Sequence, residues 1–492
     1  MRIIGLYTGR ILTGLGVTML VPASLGAARG EVDDALGFVI AAALAVLVGQ
    51  TAEWRLHIRR DMQWSHAMAV VALAWLAAAF VGAIPLFLSG HYASFLDAYF
   101  DAMSGFATAG LAVINDLDHL SDSVNLWRHL MHFLGGQGLV LVALSMFAGG
   151  GGLTGLYVGE GREERVLPNV VHSARFIWRV ALFYGVVGTS LLWAALLVAG
   201  MPLGTGLFHA VTLFMAAFDT GGFAPTSANL AFYHSGWVEA AAAVLMVAGS
   251  LSFAVHHHLW DRRPWEIVRN VETRTLALTM TGLSAVAMVG LARSGTFDSA
   301  EMLFRRGFFQ ILSAHSGTGF NTVPGQLFET DWGTLAPGML VIAMALGGMA
   351  GSTSGGIKAL RVALLYKSVR ADLRRMLLPR NAVVVEHYYA TGGNRIVSNE
   401  LARSAAMVLL LYIGLYLTGA VTGLFYGYSL QEALFESTSA AAAVGLSVGL
   451  VRPEMETGLK IVYILQMWVG RLEFVSVFAL FGYLYSTVRG KT

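Results

Sequence analysis

The chain contains no cysteine, so disulfides, thiolate catalysis and cysteine-ligated metal sites are excluded from the start. Charge is also scarce. Asp, Glu, Lys and Arg make up only 13% of the 492 residues, against 56% hydrophobic residues, and the mean hydropathy is +0.64. A soluble protein of this length needs far more polar surface, so the composition describes a polytopic membrane protein. Enzyme signatures are thin. There is no HExxH zinc site and no pair of intramembrane aspartates. Two strings approach known motifs and fail. Ile357 separates Gly356 from Lys358 where a phosphate-binding loop needs Gly-Lys, and Thr353 stands where the serine of a nucleophile elbow would be. An intramembrane enzyme is the weakest reading.

Long apolar runs are what the chain has instead. Spanning a bilayer takes about 20 mostly apolar residues, and ten stretches qualify: 9–27, 35–52, 66–89, 126–149, 176–200, 236–258, 275–293, 334–357, 403–425 and 459–486. The first could pass for a signal peptide, but nine further spans need none, and a retained helix is the plainer reading. With the N-terminus inside and the spans alternating, 24 of the 32 Lys and Arg fall on the inner side. The positive-inside rule is thereby satisfied. Acidic residues lean outward, and Asp97, Asp101, Asp116, Asp118, Asp122, Asp219, Asp298, Glu301, Glu432 and Glu436 gather between spans there. A negative mouth of this kind concentrates cations. Trp54, Trp64, Trp127, Trp237, Trp260 and Trp265 lie near span ends and are expected as interfacial anchors.

Four of the external connections repeat one another. Ala98–Leu111, Ala210–Phe223, Gly307–Phe320 and Ala433–Leu446 align on Gly110, Gly222, Gly319 and Gly445. Each has Ala or Gly twelve residues before the glycine, Ser or Ala six before it, and Leu or Phe after it. Each follows an odd-numbered span and precedes an even-numbered one. Such loops are too short to cross, and non-helical backbone at membrane depth is tolerated only inside protein or along a water-filled cavity. Their carbonyls can then replace an ion's hydration shell. Glycine at the turning point reaches positive φ and leaves no Cβ in the path. A turn or two of helix before each glycine would aim its negative dipole end at a cation. The expected fold is an all-α polytopic membrane protein with an N-terminal transmembrane helix pair (1–62). Four pseudo-symmetric helix–pore loop–helix repeats follow around a central pore (63–150, 151–260, 261–380 and 381–492).

With these loops, the segments WRHLMHFLGGQG, GGMAGSTSGGIKALR and QMWVGRLEFVSV make the chain resemble the Trk/Ktr/HKT superfamily of potassium transporters, in its bacterial TrkH type. The resemblance implies a K⁺ selectivity filter formed by Thr108, Ala109 and Gly110, Thr220, Gly221 and Gly222, Gly317, Thr318 and Gly319, and Ala443, Val444 and Gly445. Glycine in all four loops goes with K⁺ selectivity in that superfamily, whereas serine in the first is linked to Na⁺ permeation. Loop four lacks the hydroxyl residues often found there, while loop two carries Asp219 and loop three His315. The resemblance implies K⁺ as the transported ion, and no cofactor is expected in this chain. A Na⁺-coupled or weakly selective monovalent cation transporter of the same architecture is the alternative.

Gly347–Arg361 is the second unusual segment. Its five glycines cannot sustain a helix, since each costs about 1 kcal/mol in a helix interior. A break at membrane depth lines a cavity. The family counterpart is a gating loop below the filter, which maps here onto Gly347, Gly348, Gly351, Ser352, Thr353, Ser354, Gly355, Gly356 and Lys358. Arg471 lies within the last span, where a central Arg costs roughly 2.5–3.5 kcal/mol to insert. Its family counterpart supplies a positive barrier under the filter; capping the carbonyls of a broken helix is the structural alternative. Glu473, two residues on, faces another side of the helix. His129 and His132 are expected at the mouth or in packing, and His256–His258 at the inner interface. The basic inner stretch 365–399 is too short for a nucleotide-binding domain, and no such fingerprint is set in a strand–loop–helix unit. The resemblance instead implies a homodimer with a cytosolic, nucleotide-binding, TrkA-like ring docked on the basic face. It also implies a bacterial inner (plasma) membrane location with a cytoplasmic N-terminus. The lipid bilayer is the surrounding partner, and no nucleic acid is expected.

Overall fold

Two helices wind closely together at the N-terminus because glycines face each other. In the computed structural model, which describes residues 2–56, 62–114, 116–139, 156, 170–379, 384–390 and 392–490, α1 (Arg2–Thr18) runs almost directly into α2 (Leu20–Arg29). The chain then turns at left-handed Gly30 into α3 (Val32–Leu56). A Cβ on Gly49 would strike the Gly9 carbonyl oxygen, and one on Gly9 would lie 3.0 Å from that of Gly49. Small residues of this kind let membrane helices approach. Arg10 pairs with Glu53 at 2.8 Å beside this contact.

Four long spans follow the pair, one opening each repeat. They are α4 (Trp64–Leu88), α7 (Val170–Val198), α12 (Val271–Ser294) and α17 (Asn399–Phe425). With α1–α2 and α3 they make six helices long and apolar enough to cross a membrane among the described residues. Their outer faces expose Leu47, Val186, Leu278 and Leu410, a surface suited to lipid rather than water.

Each long span is followed by a half-helix: α5 (Phe95–Phe106), α8 (Leu203–Phe218), α13 (Ala300–Ser316) and α18 (Leu430–Ala442). These have 12, 16, 17 and 13 residues, three to five turns where the sequence suggested one or two. Ser94, Ser299 and Ser429 start three of them, each accepting a backbone N–H from the first turn. Such a cap contributes about 1 kcal/mol. Pro202 starts the fourth. The small residue twelve positions before each loop glycine lets the half-helix lie against its span. Ala433 meets Gly423 of α17, and a side chain on Gly307 would press on Leu291 of α12.

The helices after the loops differ from expectation. The sequence reads 236–258 and 459–486 as continuous spans, but both are broken. α9 (Gly236–Ser250) and α10 (Phe253–Trp260) meet at 101°, separated by extended Leu251 and Ser252. After α10 comes the short helix α11 (Trp265–Arg269). Ser252 then caps α10 by accepting Val255 N–H. In the first repeat α6 (Asp122–Gln137) ends at left-handed Gly138, and 140–149 of the expected span lies outside the described residues. The third repeat has a short external α14 (Leu327–Thr330), then α15 (Leu335–Ala345) and α16 (Ala359–Leu377), with Leu346–Lys358 non-helical between them. In the fourth, α19 (Thr457–Arg471) and α20 (Val475–Val488) meet at 107°, with Glu473 and Phe474 both at positive φ.

The basic stretch 365–399 carries no strand expectation from the sequence. The structure has a hairpin of β1 (His387–Ala390) and β2 (Gly393–Ile396), in register from His387 opposite Ile396. Buried ion pairs join the repeats. Glu239 on α9 receives Arg305 of α13 at 2.6 Å, and Lys460 on α19 lies 2.5 Å from Asp97 on α5, linking the last repeat to the first.

Candidate ion pathway

All four half-helices end in the same way. The N–H of Ala109, Gly221, Thr318 and Val444 returns to the carbonyl of Ser104, Ala216, Ser313 and Ser439 at 2.8–3.0 Å. The residue before each donor returns its own N–H to the carbonyl three residues back, at 3.1–3.3 Å. This paired closure requires a left-handed residue at its centre. Thr108, Thr220, Gly317 and Ala443 are that residue, at φ 52, 50, 75 and 54°. The small residue six positions before each glycine is thus the acceptor of the helix-ending bond. Non-glycine residues in this region carry strain of about 1–2 kcal/mol each, and three of the four loops bear it at the same position.

The loop glycines themselves are also left-handed, with φ between 72 and 101°. Conformation is only half of their role. A Cβ on Gly110 would strike the carbonyl oxygen of Gly221, one on Gly222 that of Thr318, one on Gly319 that of Val444, and one on Gly445 that of Ala109. The order is loop one to two, two to three, three to four, four to one. Four loops interlock in a closed ring, each glycine seated against the carbonyl that precedes its neighbour's glycine.

A second layer lies below. The half-helix carbonyls four residues before the loop glycines approach glycines on the post-loop helices, so that a Cβ on Gly135, Gly249 or Gly470 would strike Phe106, Phe218 or Ala441 oxygen. These glycines follow the loop glycines by 25, 27 and 25 residues, a signal the sequence carries and the loop alignment missed. The third repeat departs. There Gly347 packs against Gly355 of the same non-helical segment, which takes the available space.

That segment folds back on itself and crosses under the loops. Gly347 N–H donates to Ile357 O and Ile357 N–H to Ala345 O, at 2.9 and 3.0 Å, a closeness that side chains at Gly347 and Gly355 would prevent. Thr353 Oγ1 reaches Phe218 O and Gly249 O at 3.1 and 2.9 Å and lies 3.2 Å from Thr220 Oγ1. A side chain at Gly355 would strike Ala442 O, and one at Gly317 would lie 2.6 Å from Ser354 Oγ. Glu272 on α12 accepts Ala350 N–H at 2.6 Å.

Arg471 donates from its two terminal nitrogens to Thr353 O at 2.5 Å and Gly135 O at 2.7 Å. It therefore caps carbonyls of two interrupted elements and stands beneath the ring at once. Glu473 pairs elsewhere, with Arg361 at 2.5 Å and Lys358 at 3.9 Å, while Lys358 Nζ also donates to Ser354 O. Arg471, Lys358, Glu473, Ser354 and Trp75 line a cavity of about 20 Å³, room for one water.

Several sequence expectations need correction. Asp97, Asp101, Asp219 and Glu436 are not solvated mouth charges, because all four are buried. Asp97 pairs with Lys460, Asp219 accepts Gln137 Nε2 at 2.7 Å, and Asp101 and Glu436 accept backbone N–H groups of their own loops. Asp116, Asp118, Asp298 and Glu301 remain exposed. Trp127 is not an interfacial anchor. It is fully buried and donates to Gly82 O at 3.0 Å. His129 and His132 are packing residues, and His132 stacks on Phe223 at 4.1 Å. Gly445–Gly449 does spell G-x-S-x-G, but Ser447 donates to Glu436 at 2.6 Å and no strand precedes it, so it is no nucleophile elbow. Among the described residues no cluster of three or more His, Asp or Glu could hold a metal.

Comparison with known proteins gives a consistent result. The TrkH family, described as a cation transport protein, matches residues 36–486. An uncharacterized cation transporter of Methanocaldococcus jannaschii is 29% identical over 483 residues, covering 97% of this chain and 94% of its own. The Trk system potassium uptake protein TrkH of Halomonas elongata is 26% identical over 500 residues, covering 98% of both. The crystal structure of the potassium transporter TrkH from Vibrio parahaemolyticus shares the fold, with a TM-score of 0.83 at 22% identity and 97% of each chain covered.

Proposed function

The chain belongs to the TrkH family of cation transport proteins, and on that premise we propose that it is the ion-translocating subunit of a gated, channel-like potassium uptake system. The interlocked ring at Gly110, Gly222, Gly319 and Gly445 carries this reading. In it the backbone carbonyls of Ala109, Gly221, Thr318 and Val444 each lie against the glycine of a neighbouring loop, at the C-terminal ends of four half-helices. Carbonyl dipoles and helix ends of that sign favour a dehydrated monovalent cation. The relatives named as potassium uptake proteins support K⁺ as that cation.

In this reading Thr108–Gly110, Thr220–Gly222, Gly317–Gly319 and Ala443–Gly445 are the filter. Gly347–Lys358 is the gate, and Arg471 is a fixed positive charge that both holds the gate and opposes cation entry into the cavity. K⁺ moves inward down its electrochemical gradient through a multi-pass protein of the bacterial inner membrane, with its N-terminus cytoplasmic. The working unit is a homodimer with a TrkA-like nucleotide-binding ring on the basic inner face. The absence of side-chain hydroxyls at Ala443 and Val444 favours, as second reading, a weakly selective or Na⁺-coupled transporter.

The deciding experiment is radioactive Rb⁺ uptake into liposomes holding the purified protein, challenged with excess K⁺ or Na⁺. Block by K⁺ alone is expected. Equal block by both ions moves the assignment to the second reading, and dependence of uptake on Na⁺ identifies coupling.

A further inference from the structure

A pairing rule runs through the loops that their sequence alignment did not expose. Nine residues before the loop glycine stands a buried acceptor, and three residues after it stands a backbone N–H that the acceptor receives. Asp101 accepts Val113 N–H at 2.8 Å, Gln310 accepts Thr322 N–H at 2.9 Å, and Glu436 accepts Val448 N–H at 2.9 Å. All six residues are buried, so each bond is made without water in competition. Each one ties a half-helix to the strand that leaves the filter, and so fixes the width of its own loop.

Loop two breaks the rule on both sides at once. Its residues at these positions are Leu213, which cannot accept, and Pro225, which has no N–H to donate. Loss of one partner alone would leave a buried group orphaned, whereas loss of both leaves none. The strand leaving loop two is held from outside instead. Asn125 Nδ2 on α6 donates to Pro225 O at 2.9 Å, and His129 Nε2, one turn on, lies 3.2 Å from Phe223 O. The Phe223 ring is covered by the Arg128 guanidinium at 4.2 Å.

We infer that Asp101, Gln310 and Glu436 are positioning residues that set the carbonyl geometry of loops one, three and four, while α6 of the first repeat positions loop two. The inference rests on the potassium-filter reading. It assigns selectivity to side chains that touch no ion.

Loop three allows the cleanest test, because Gln310 Oε1 accepts only from Thr322, through its N–H and its hydroxyl, among the interactions described. Its Nε2 donates to Asn321 Oδ1 at 3.3 Å, a bond that a carboxylate would replace by accepting from the Asn321 amide nitrogen. Full-length variants are compared in liposomes by Rb⁺ uptake under K⁺ or Na⁺ competition, with thermal unfolding measured in parallel. Gln310→Leu orphans the Thr322 N–H and is expected to lower K⁺ over Na⁺ discrimination by roughly fivefold or more. Gln310→Glu, which restores an acceptor of the kind in loop four, is expected to keep the parent's discrimination. Gln310→Leu/Thr322→Pro copies loop two without the contacts from α6, and leaves the Arg306 Nη1 bond to the carbonyl of residue 322 in place. It is expected to regain thermal stability and not discrimination. Should Gln310→Leu fail to fold, this double variant carries the same readout. Parent-like discrimination in Gln310→Leu, or joint recovery of stability and discrimination in the double variant, overturns the inference. A parent protein with no selective uptake, even with its crossing segment shortened, overturns the filter reading on which it rests.

Discussion

Arg471 and Thr353, 118 residues apart, are joined by a 2.5 Å hydrogen bond from the guanidinium to the backbone carbonyl. Its other terminal nitrogen holds Gly135 O, so one side chain ties the crossing segment of the third repeat to the C-terminal turn of α6 in the first. Arg471 and Gly135 line the small cavity under the ring together with Lys358 and Glu473.

Replacement of Arg471 by Ala removes two charge-assisted bonds, each worth about 1.5–3 kcal/mol, and a positive barrier. Uptake of Rb⁺ by the purified variant is expected to rise several-fold with altered rectification and parent-like expression. Arg471→Lys, which cannot fork across both carbonyls, is expected to fall between the two. Misfolding of both variants with no change in flux per folded molecule would leave Arg471 a purely structural cap.

Shortening the crossing segment by deleting Ala350–Thr353 removes the contacts to Phe218 O and Gly249 O. Basal Rb⁺ uptake, without any partner subunit, is expected to increase. Unchanged uptake would assign the segment to helix packing.

The ring glycines separate backbone conformation from close approach. Gly222→Ala adds strain of about 1–2 kcal/mol and a Cβ that strikes the Thr318 carbonyl oxygen, so loss of K⁺ uptake is expected. Gly30→Ala and Gly295→Ala bear the same positive φ in open space. They are expected to retain uptake, with only the stability loss visible in thermal unfolding. Gly110→Ser brings a Cβ against the Gly221 carbonyl oxygen, so K⁺ uptake is expected to fall, and any remaining uptake to discriminate less against Na⁺ in the same competition assay.

The ring was legible from sequence because its demands fall on residue types that stand out. A left-handed turn and a contact with no room for Cβ both select glycine, four times over. The Gly347–Lys358 break was legible for a similar reason, since its glycine density alone defeats a helix. The breaks at Leu251–Ser252 and Glu473–Phe474 left no such mark. Hydropathy averaged over a whole span runs through both bends, and at the second only the charges Arg471 and Glu473 interrupt the apolar run. The extended or left-handed residues are held by tertiary contacts. The burial of Asp97, Asp101 and Glu436 was hidden because their partners are remote in sequence or are backbone groups. A carboxylate between two spans looks the same in sequence whether it meets water or Lys460.

Lys460→Met would leave Asp97 buried without its counter-charge, and a loss of about 3–5 kcal/mol is expected for breaking a buried pair from one side. Thermal unfolding in micelles should show it. The double variant Lys460→Met/Asp97→Leu is expected to return most of the stability, since an apolar pair of matched volume needs no compensation. An additive double variant would mean that the pair contributes nothing as a pair.

The Asp97–Lys460 contact also imposes an order in time. These residues are 363 positions apart, so at about 5–20 residues per second the ribosome needs roughly 20–70 s to make the second after the first. During that interval the first repeat stands in the membrane with its acidic group awaiting a partner not yet made. Nascent chains stopped before position 460 keep that group uncompensated and expose it to membrane quality control. Completion of the last repeat is therefore what seals the first, and a chain that stalls late is marked as unfinished at its beginning.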